Sequence, residues 1–337
     1  MEAAQPVIVL PNLAMKFLRP ILLAASVALI ADARASVTIA WVTVGDAGNA
    51  ADPTTGYGAV AYEYQIGKYE VTNAEYTSFL NAVDPEGANA NGVYNVEMGS
   101  NARSGITYTA GAASGAKYTI RTNMGDKPVN YVSWYDAARF TNWLHNGQGS
   151  GSTETGAYTL SAGIITKNPG ATVYLPSEDE WYKAAYYDPT AGAGGGDNYW
   201  LYATQSDTVP TVASANTTGV ISNPGANVAN YNAVADWNGQ DGNVTTVGSA
   251  GAGNYFGTAD QAGNINEWTD AVSSSSRLMR GGSFYVNPES LAFRYFENPI
   301  AEGGSVGFRV ASVPVPEPTA FIPAMLICIG VMMRRRR

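Results

Sequence analysis

Leu175-Pro176-Ser177-Glu178-Asp179-Glu180-Trp181 holds a change from strand to helix within seven residues. Residues 173–175 form a short β run, and Pro176 follows it. The Ser177 hydroxyl can satisfy one free backbone N–H, and Glu180, three residues on, can satisfy another. A helix therefore starts here and runs to about Tyr186. The same device recurs upstream at Thr72-Asn73-Ala74-Glu75, where Tyr76, Phe79, Leu80 and Val83 follow at i, i+3, i+4 and i+7 on one apolar face. It recurs again at Ser133-Trp134-Tyr135-Asp136, opening a helix to about Leu144 that buries Trp134, Ala138 and Trp143. Further β runs are expected at 59–66, 278–280 and 307–311. Gly-rich polar stretches at 84–115, 146–156, 188–197 and 214–229 read as surface loops. Short strands and three capped helices amid much irregular chain make an α+β domain.

Around these helix starts, six blocks stand in order. They are Ile66-Gly67-Lys68-Tyr69-Glu70-Val71-Thr72-Asn73, Pro128-Val129-Asn130-Tyr131-Val132-Ser133-Trp134-Tyr135-Asp136-Ala137, Leu175 to Trp181, Gly263-Asn264-Ile265-Asn266-Glu267-Trp268, Arg280-Gly281-Gly282-Ser283 and Gly307-Phe308-Arg309. Each is weak alone, but the ordered set resembles the formylglycine-generating, or sulfatase-modifying, enzyme family over roughly residues 60–312. The resemblance implies an α+β, loop-rich single domain of the formylglycine-generating-enzyme fold, an elaborated relative of the C-type-lectin-like fold. Most of the residues in these blocks read as scaffold. Gly281 and Gly282 are expected to supply a turn that a Cβ would obstruct, and Arg280 and Arg309 to pair with acidic helix starts.

In active members of that family, two cysteines five positions apart follow the R-G-G-S block and bind copper for oxygen-dependent oxidation of a substrate cysteine. The matching positions here are Val286 and Leu291, which offer neither a metal-binding lone pair nor a thiol. No copper is expected, and no catalytic residue is assigned. Related iron-dependent sulfoxide synthases need several histidines, whereas His145 is the single one here and reads as a helix-end residue. The family's structural calcium can be carried over by position. One set is Asn230 and Asp241 through side chains with the carbonyls of Tyr231 and Asn243, although the loop between them is shorter than in well-known members. The other is Asp260 and Glu267 with the carbonyls of Gly263 and Ile265. Hard cations want six to eight oxygens, which acidic Gly-containing loops can supply. Read without the resemblance, the same residues are Asx turns and a helix-capping glutamate.

Outward from this domain (36–312), both ends read as processing signals. Lys16 and Arg19 precede the apolar run 21–30, and Ala33-Arg34-Ala35 follows it, the pattern of a secretory signal peptide over 1–35, with Met15 an alternative start. Over 313–337, Val315-Pro316-Glu317-Pro318 precedes the apolar stretch 321–333 and a terminal Arg334-Arg335-Arg336-Arg337. About 15 helical residues span only about 22 Å, short of a bilayer core of about 30 Å. This tripartite tail resembles the PEP-CTERM sorting signal of Gram-negative bacteria. The resemblance implies an exosortase-type processing protease as partner and transient inner-membrane anchoring through a short transmembrane helix, with a permanent anchor as the alternative. Of the 19 Lys and Arg, seven lie in these ends, and of the 28 Asp and Glu, three do, so the remainder carries about −13. That balance argues against a nucleic-acid partner. The one cysteine, Cys328, lies in the tail, so the domain has neither a disulfide nor a thiol nucleophile.

Two functions are open. One is a non-catalytic, exported binding or structural protein of the cell envelope or extracellular space, with extracellular polysaccharide as a partner and Tyr199, Trp200, Tyr202 and Trp237 as candidates either for sugar stacking or for core. The other is an enzyme of the same superfamily with non-cysteine chemistry, built from Glu297, Arg294 and Tyr295.

Overall fold

Three of the helices open on the capping boxes read from the sequence. The computed structural model describes Met1 and residues 36–161, 163, 165–190, 196–251 and 253–314; both terminal signals lie outside them. The helices are α1 (Asn73–Val83), α2 (Glu97–Ser100), α3 (Trp134–His145) and α4 (Glu178–Tyr186). At α1, α3 and α4 the cap hydroxyls of Thr72, Ser133 and Ser177 accept from the third helical N–H, and Glu75, Asp136 and Glu180 accept from the N–H of the cap. Each box satisfies two donors that a helix start leaves free. No described helix is long and apolar enough to cross a membrane.

The strands are β1 (Trp41–Val44), β2 (Tyr64–Gly67), β3 (Ile106–Tyr108), β4 (Tyr118–Ile120), β5 (Val173–Tyr174), β6 (Thr211–Val212), β7 (Val228–Ala229), β8 (Asn266–Ser273), β9 (Ser276–Arg280), β10 (Tyr295–Glu297), β11 (Val306–Phe308) and β12 (Ala311–Ser312). They form two four-stranded sheets, ordered β1-β2-β12-β5 and β10-β9-β8-β11, and two small pairs, β3-β4 and β6-β7. Both larger sheets are antiparallel except where β11 runs parallel to β8. The chain leaves β11 in one sheet and enters β12 in the other within two residues, Arg309 and Val310. That crossing holds Arg309 in the interior, where it is fully buried.

The core forms where α1 and α3 meet. Phe79 and Phe140 pack edge to face at 5.5 Å, Tyr76 stacks on Phe140 at 5.9 Å, and Phe308 of β11 meets Phe140 at 5.4 Å. These geometries suit the quadrupoles of the rings. The indole N–H of Trp134 donates to the Thr269 carbonyl and that of Trp268 to the Val132 carbonyl, tying the start of α3 to β8 from both sides.

Several local expectations change. The run 59–66 is strand only from Tyr64 onward. Stretch 84–115 contains α2 and β3, and 214–229 contains β7. The longest described strand, β8, was not expected, because Glu267 and Asp270 break its apolar pattern. Glu267 caps no helix; it is a strand residue, held inside by Arg309. Arg280 does pair with an acidic helix start, that of α4, whereas Arg309 pairs with β8.

Candidate functional site

Gly281 and Gly282 turn the chain at the end of β9 with φ of 95° and 68°, a region open to glycine at little cost. A Cβ on Gly282 would sit 3.0 Å from Val286 Cγ2 and 3.2 Å from Leu291 Cα. The turn therefore lies against both Val286 and Leu291. Leu291, on a short 3-10 helix (Pro288–Ala292), is buried among Tyr182, Tyr186 and Tyr199, and Val286 packs against the same cluster.

A cavity of about 670 Å³ opens beside this cluster, within the range of small-molecule sites. Its apolar walls include Tyr57, Tyr182, Tyr186, Tyr199, Trp200 and Phe293; Val286 and Leu291 do not line it. Much of the polar capacity of these arenes is already spent inside the protein. Tyr182 donates to Asp52 Oδ2, Tyr199 to the Ala50 carbonyl at 2.8 Å, and the Trp200 indole to Asp188 at 3.3 Å. Arg280 and Arg294, which also line the cavity, share the single carboxylate of Glu178 in the first turn of α4. Their guanidinium carbons lie 5.1 and 4.6 Å from the Tyr57 ring centre, within cation–π range. The Nε of Arg280 is buried with no hydrogen-bond partner. Asp197 and Asp207 also line the cavity, each with Oδ1 held by a backbone N–H, of Tyr199 and Leu201 respectively.

Of the four aromatics singled out in the sequence, Tyr199 and Trp237 are 3% and 5% exposed, so both serve the core, while Tyr199 and the half-buried Trp200 also line the cavity. Sequence reading did not single out Tyr57, Tyr182, Tyr186 or the three aspartates. Tyr182 and Tyr186 carried a local signal, the i, i+4 spacing on α4. Tyr57 and Asp52 come from a loop more than a hundred residues away, with no local mark of the encounter. The residues of the alternative enzyme reading are already paired. Arg294 is held by Glu178, and the exposed Tyr295 hydroxyl donates to Glu297 at 2.9 Å.

Behind α4 lies a buried charge cluster. Arg309 grips both oxygens of Glu267, with Nη2 to Oε1 at 2.7 Å, and the Trp181 indole donates to Oε2 at 2.7 Å. Arg309 also donates to the carbonyls of Gly67 and Ala259. Burial first, then the charges of Asp260 and Glu267, pushes the Glu70 carboxyl well above its usual range, against the pull of Arg309. Burial raises Asp260 to about 6, although the Gly248 N–H donates to it.

The residues carried over for calcium fall near this cluster. Asn230 and Gly263 face each other across a backbone bridge, and the Asn230 amide donates to the Asn243 carbonyl at 2.8 Å. Asn230 Oδ1 is buried without a donor. Tyr231 is buried, with its hydroxyl on the Pro210 carbonyl. Asp241 is exposed and its carbonyl accepts from Arg103. Ile265 is buried beside Phe284 and Trp237. Among the described residues no three His, Cys, Asp or Glu side chains converge as a metal group. His145 accepts the Thr172 N–H at its ring Nδ1, 3.1 Å away.

Residues 41–313 match the family described as the sulfatase-modifying factor enzyme 1-like domain. The chain belongs to the sulfatase-modifying factor family. Similar solved structures include Treponema denticola variable protein 1 (18% identity, 83% of this chain and 97% of that one, TM-score 0.48) and CarF (22%, 82% and 99%, 0.48). PvdO from Pseudomonas aeruginosa is also similar (17%, 82% and 93%, 0.41). No curated relative matches the chain. In this family member the fold is mixed α and β, with few helices and much loop, as the blocks implied. Beside its Gly281-Gly282 turn stand the hydrocarbon side chains of Val286 and Leu291.

Proposed function

We propose that this sulfatase-modifying factor family member is an exported, non-catalytic binding protein of the cell envelope or extracellular space, holding its ligand in the cavity beside Arg280. The observation that carries the reading is the pairing of Val286 and Leu291 at the Gly282 turn with an arene-walled cavity next to them. Thiol oxidation needs a sulfur to hold the metal and pass electrons, and hydrocarbon side chains do neither. A ligand cavity needs only shape, apolar walls and a few fixed polar groups. Export rests on the two terminal sequence signals, with an exosortase-type protease as processing partner.

A structural calcium ion belongs to the same reading, and the two residue sets fit it unequally. Asn230 Oδ1, buried without a donor, is an oxygen that a hard cation would satisfy. Glu267 would have to share oxygens already gripped by Arg309. Asn230 is therefore the residue we assign to hold calcium, which would brace the loops that carry Gly263 and Asn243. Calcium should raise the melting temperature of the parent protein but not of Asn230→Ala. An unchanged parent removes the assignment.

The function itself is tested by supplying copper, oxygen and a cysteine peptide. No aldehyde and no oxygen uptake above background are expected, while a saccharide panel should yield a binder. Aldehyde formation overturns the non-catalytic reading.

A further inference from the structure

The cavity is chemically uneven, and the unevenness selects among ligands. Its arene hydroxyls and indole N–H are bonded to the protein at Tyr182, Tyr199 and Trp200, so these rings offer mainly hydrocarbon surface to an occupant. Apolar faces of that kind suit the C–H face of a saturated ring. Around them stand planar groups with fixed direction. Asp197 and Asp207 each have one oxygen anchored by a backbone N–H, which leaves Oδ2 to accept hydroxyl protons. Arg280 lines the wall with its guanidinium held by Glu178 and the Ala292 carbonyl. Fixed carboxylate acceptors together with arene faces match a ring bearing several hydroxyls.

Charge narrows the class further. Three carboxylates, those of Asp52, Asp197 and Asp207, line the cavity against two guanidinium groups, those of Arg280 and Arg294, an excess of one formal negative charge, and both guanidinium groups are already paired with Glu178. An anionic ligand would add to that excess in a partly desolvated space, where repulsion is stronger than in bulk water. A cationic ligand would escape that repulsion but find its best aromatic seats taken. Arg280 lies 5.1 Å from the rings of both Tyr57 and Tyr182, and Arg294 lies 4.6 Å from Tyr57. We infer that the cavity takes a neutral polyhydroxylated ring, a pyranose unit of an uncharged saccharide, and discriminates against uronates and other acidic sugars. The inference rests on the binding reading above and names its ligand class.

The test is calorimetric titration of the purified protein with methyl glycosides of glucose, galactose and mannose, with methyl glucuronide, and with choline. At least one neutral glycoside should bind about tenfold or more tightly than the glucuronide at low ionic strength, and the gap should shrink in 1 M salt as screening grows. The double variant Asp197→Asn, Asp207→Asn should narrow the gap by raising glucuronide affinity. Trp200→Ala should abolish neutral-sugar binding, and Trp200→Phe should keep it, which separates a lost wall from a lost fold. Glucuronide or choline binding as tightly as every neutral glycoside overturns the inference, and so does the absence of any neutral binder at tens of millimolar. Peptide-thiol oxidation alongside the expected sugar preference would instead overturn only the non-catalytic reading.

Discussion

Arg309 and Glu267 carry the largest single-residue consequence. Both side chains are fully buried, and a buried pair is costly to break because the survivor is left charged without a partner. Arg309→Leu should lower the unfolding free energy by about 3–5 kcal/mol, read as a shift in denaturant midpoint at unchanged slope. A loss under about 1 kcal/mol would mean the pair is not closed in solution. Asp270 sets a pH dependence. It is held among Arg277, Lys167, Glu180 and Tyr158, and burial outweighs the two cations to raise it to about 7. The unfolded value is about 3.9, so the folded state binds the extra proton. The contribution is complete below about pH 4 and lost as pH rises through about 7, amounting to up to roughly 4 kcal/mol. The denaturant midpoint should fall between pH 4 and pH 8, and Asp270→Asn should flatten that fall. Equal pH profiles for the two proteins would refute the assignment.

At the scale of elements, the three capping boxes were legible because their partners lie three residues apart. Ser177→Ala should cost about 1 kcal/mol and Ser177→Asp much less, measured by thermal unfolding; equal losses would show that the hydroxyl caps nothing. The strands were less legible. The run 278–280 was found within β9, but β8 was hidden, since Glu267 and Asp270 look like solvent residues until Arg309 and Arg277 are brought to them from other strands. The Gly281-Gly282 turn was readable from glycine itself. Gly263 was not. It has a φ of 91°, and a Cβ there would lie 2.2 Å from the Asn230 carbonyl oxygen, a neighbour 33 positions earlier.

Across the whole molecule, the described hydrophobic core runs from Val37 to Ala311. Removing residues 1–35 and 315–337 should therefore leave the melting temperature within about 2 °C of the full chain, since no described core side chain is lost. A larger drop by scanning calorimetry would place stabilising contacts in those segments. Family, helix starts and the hydrocarbon character of positions 286 and 291 were set by the sequence alone, because they depend on residue type and short spacing. The cavity, the shared Glu178 between two arginines and the pairing of Arg309 with Glu267 were decided only by the tertiary structure. Each joins side chains from strands, helices and loops far apart in the chain, and a carboxylate shows no sign in sequence of whether water or a guanidinium will neutralise it.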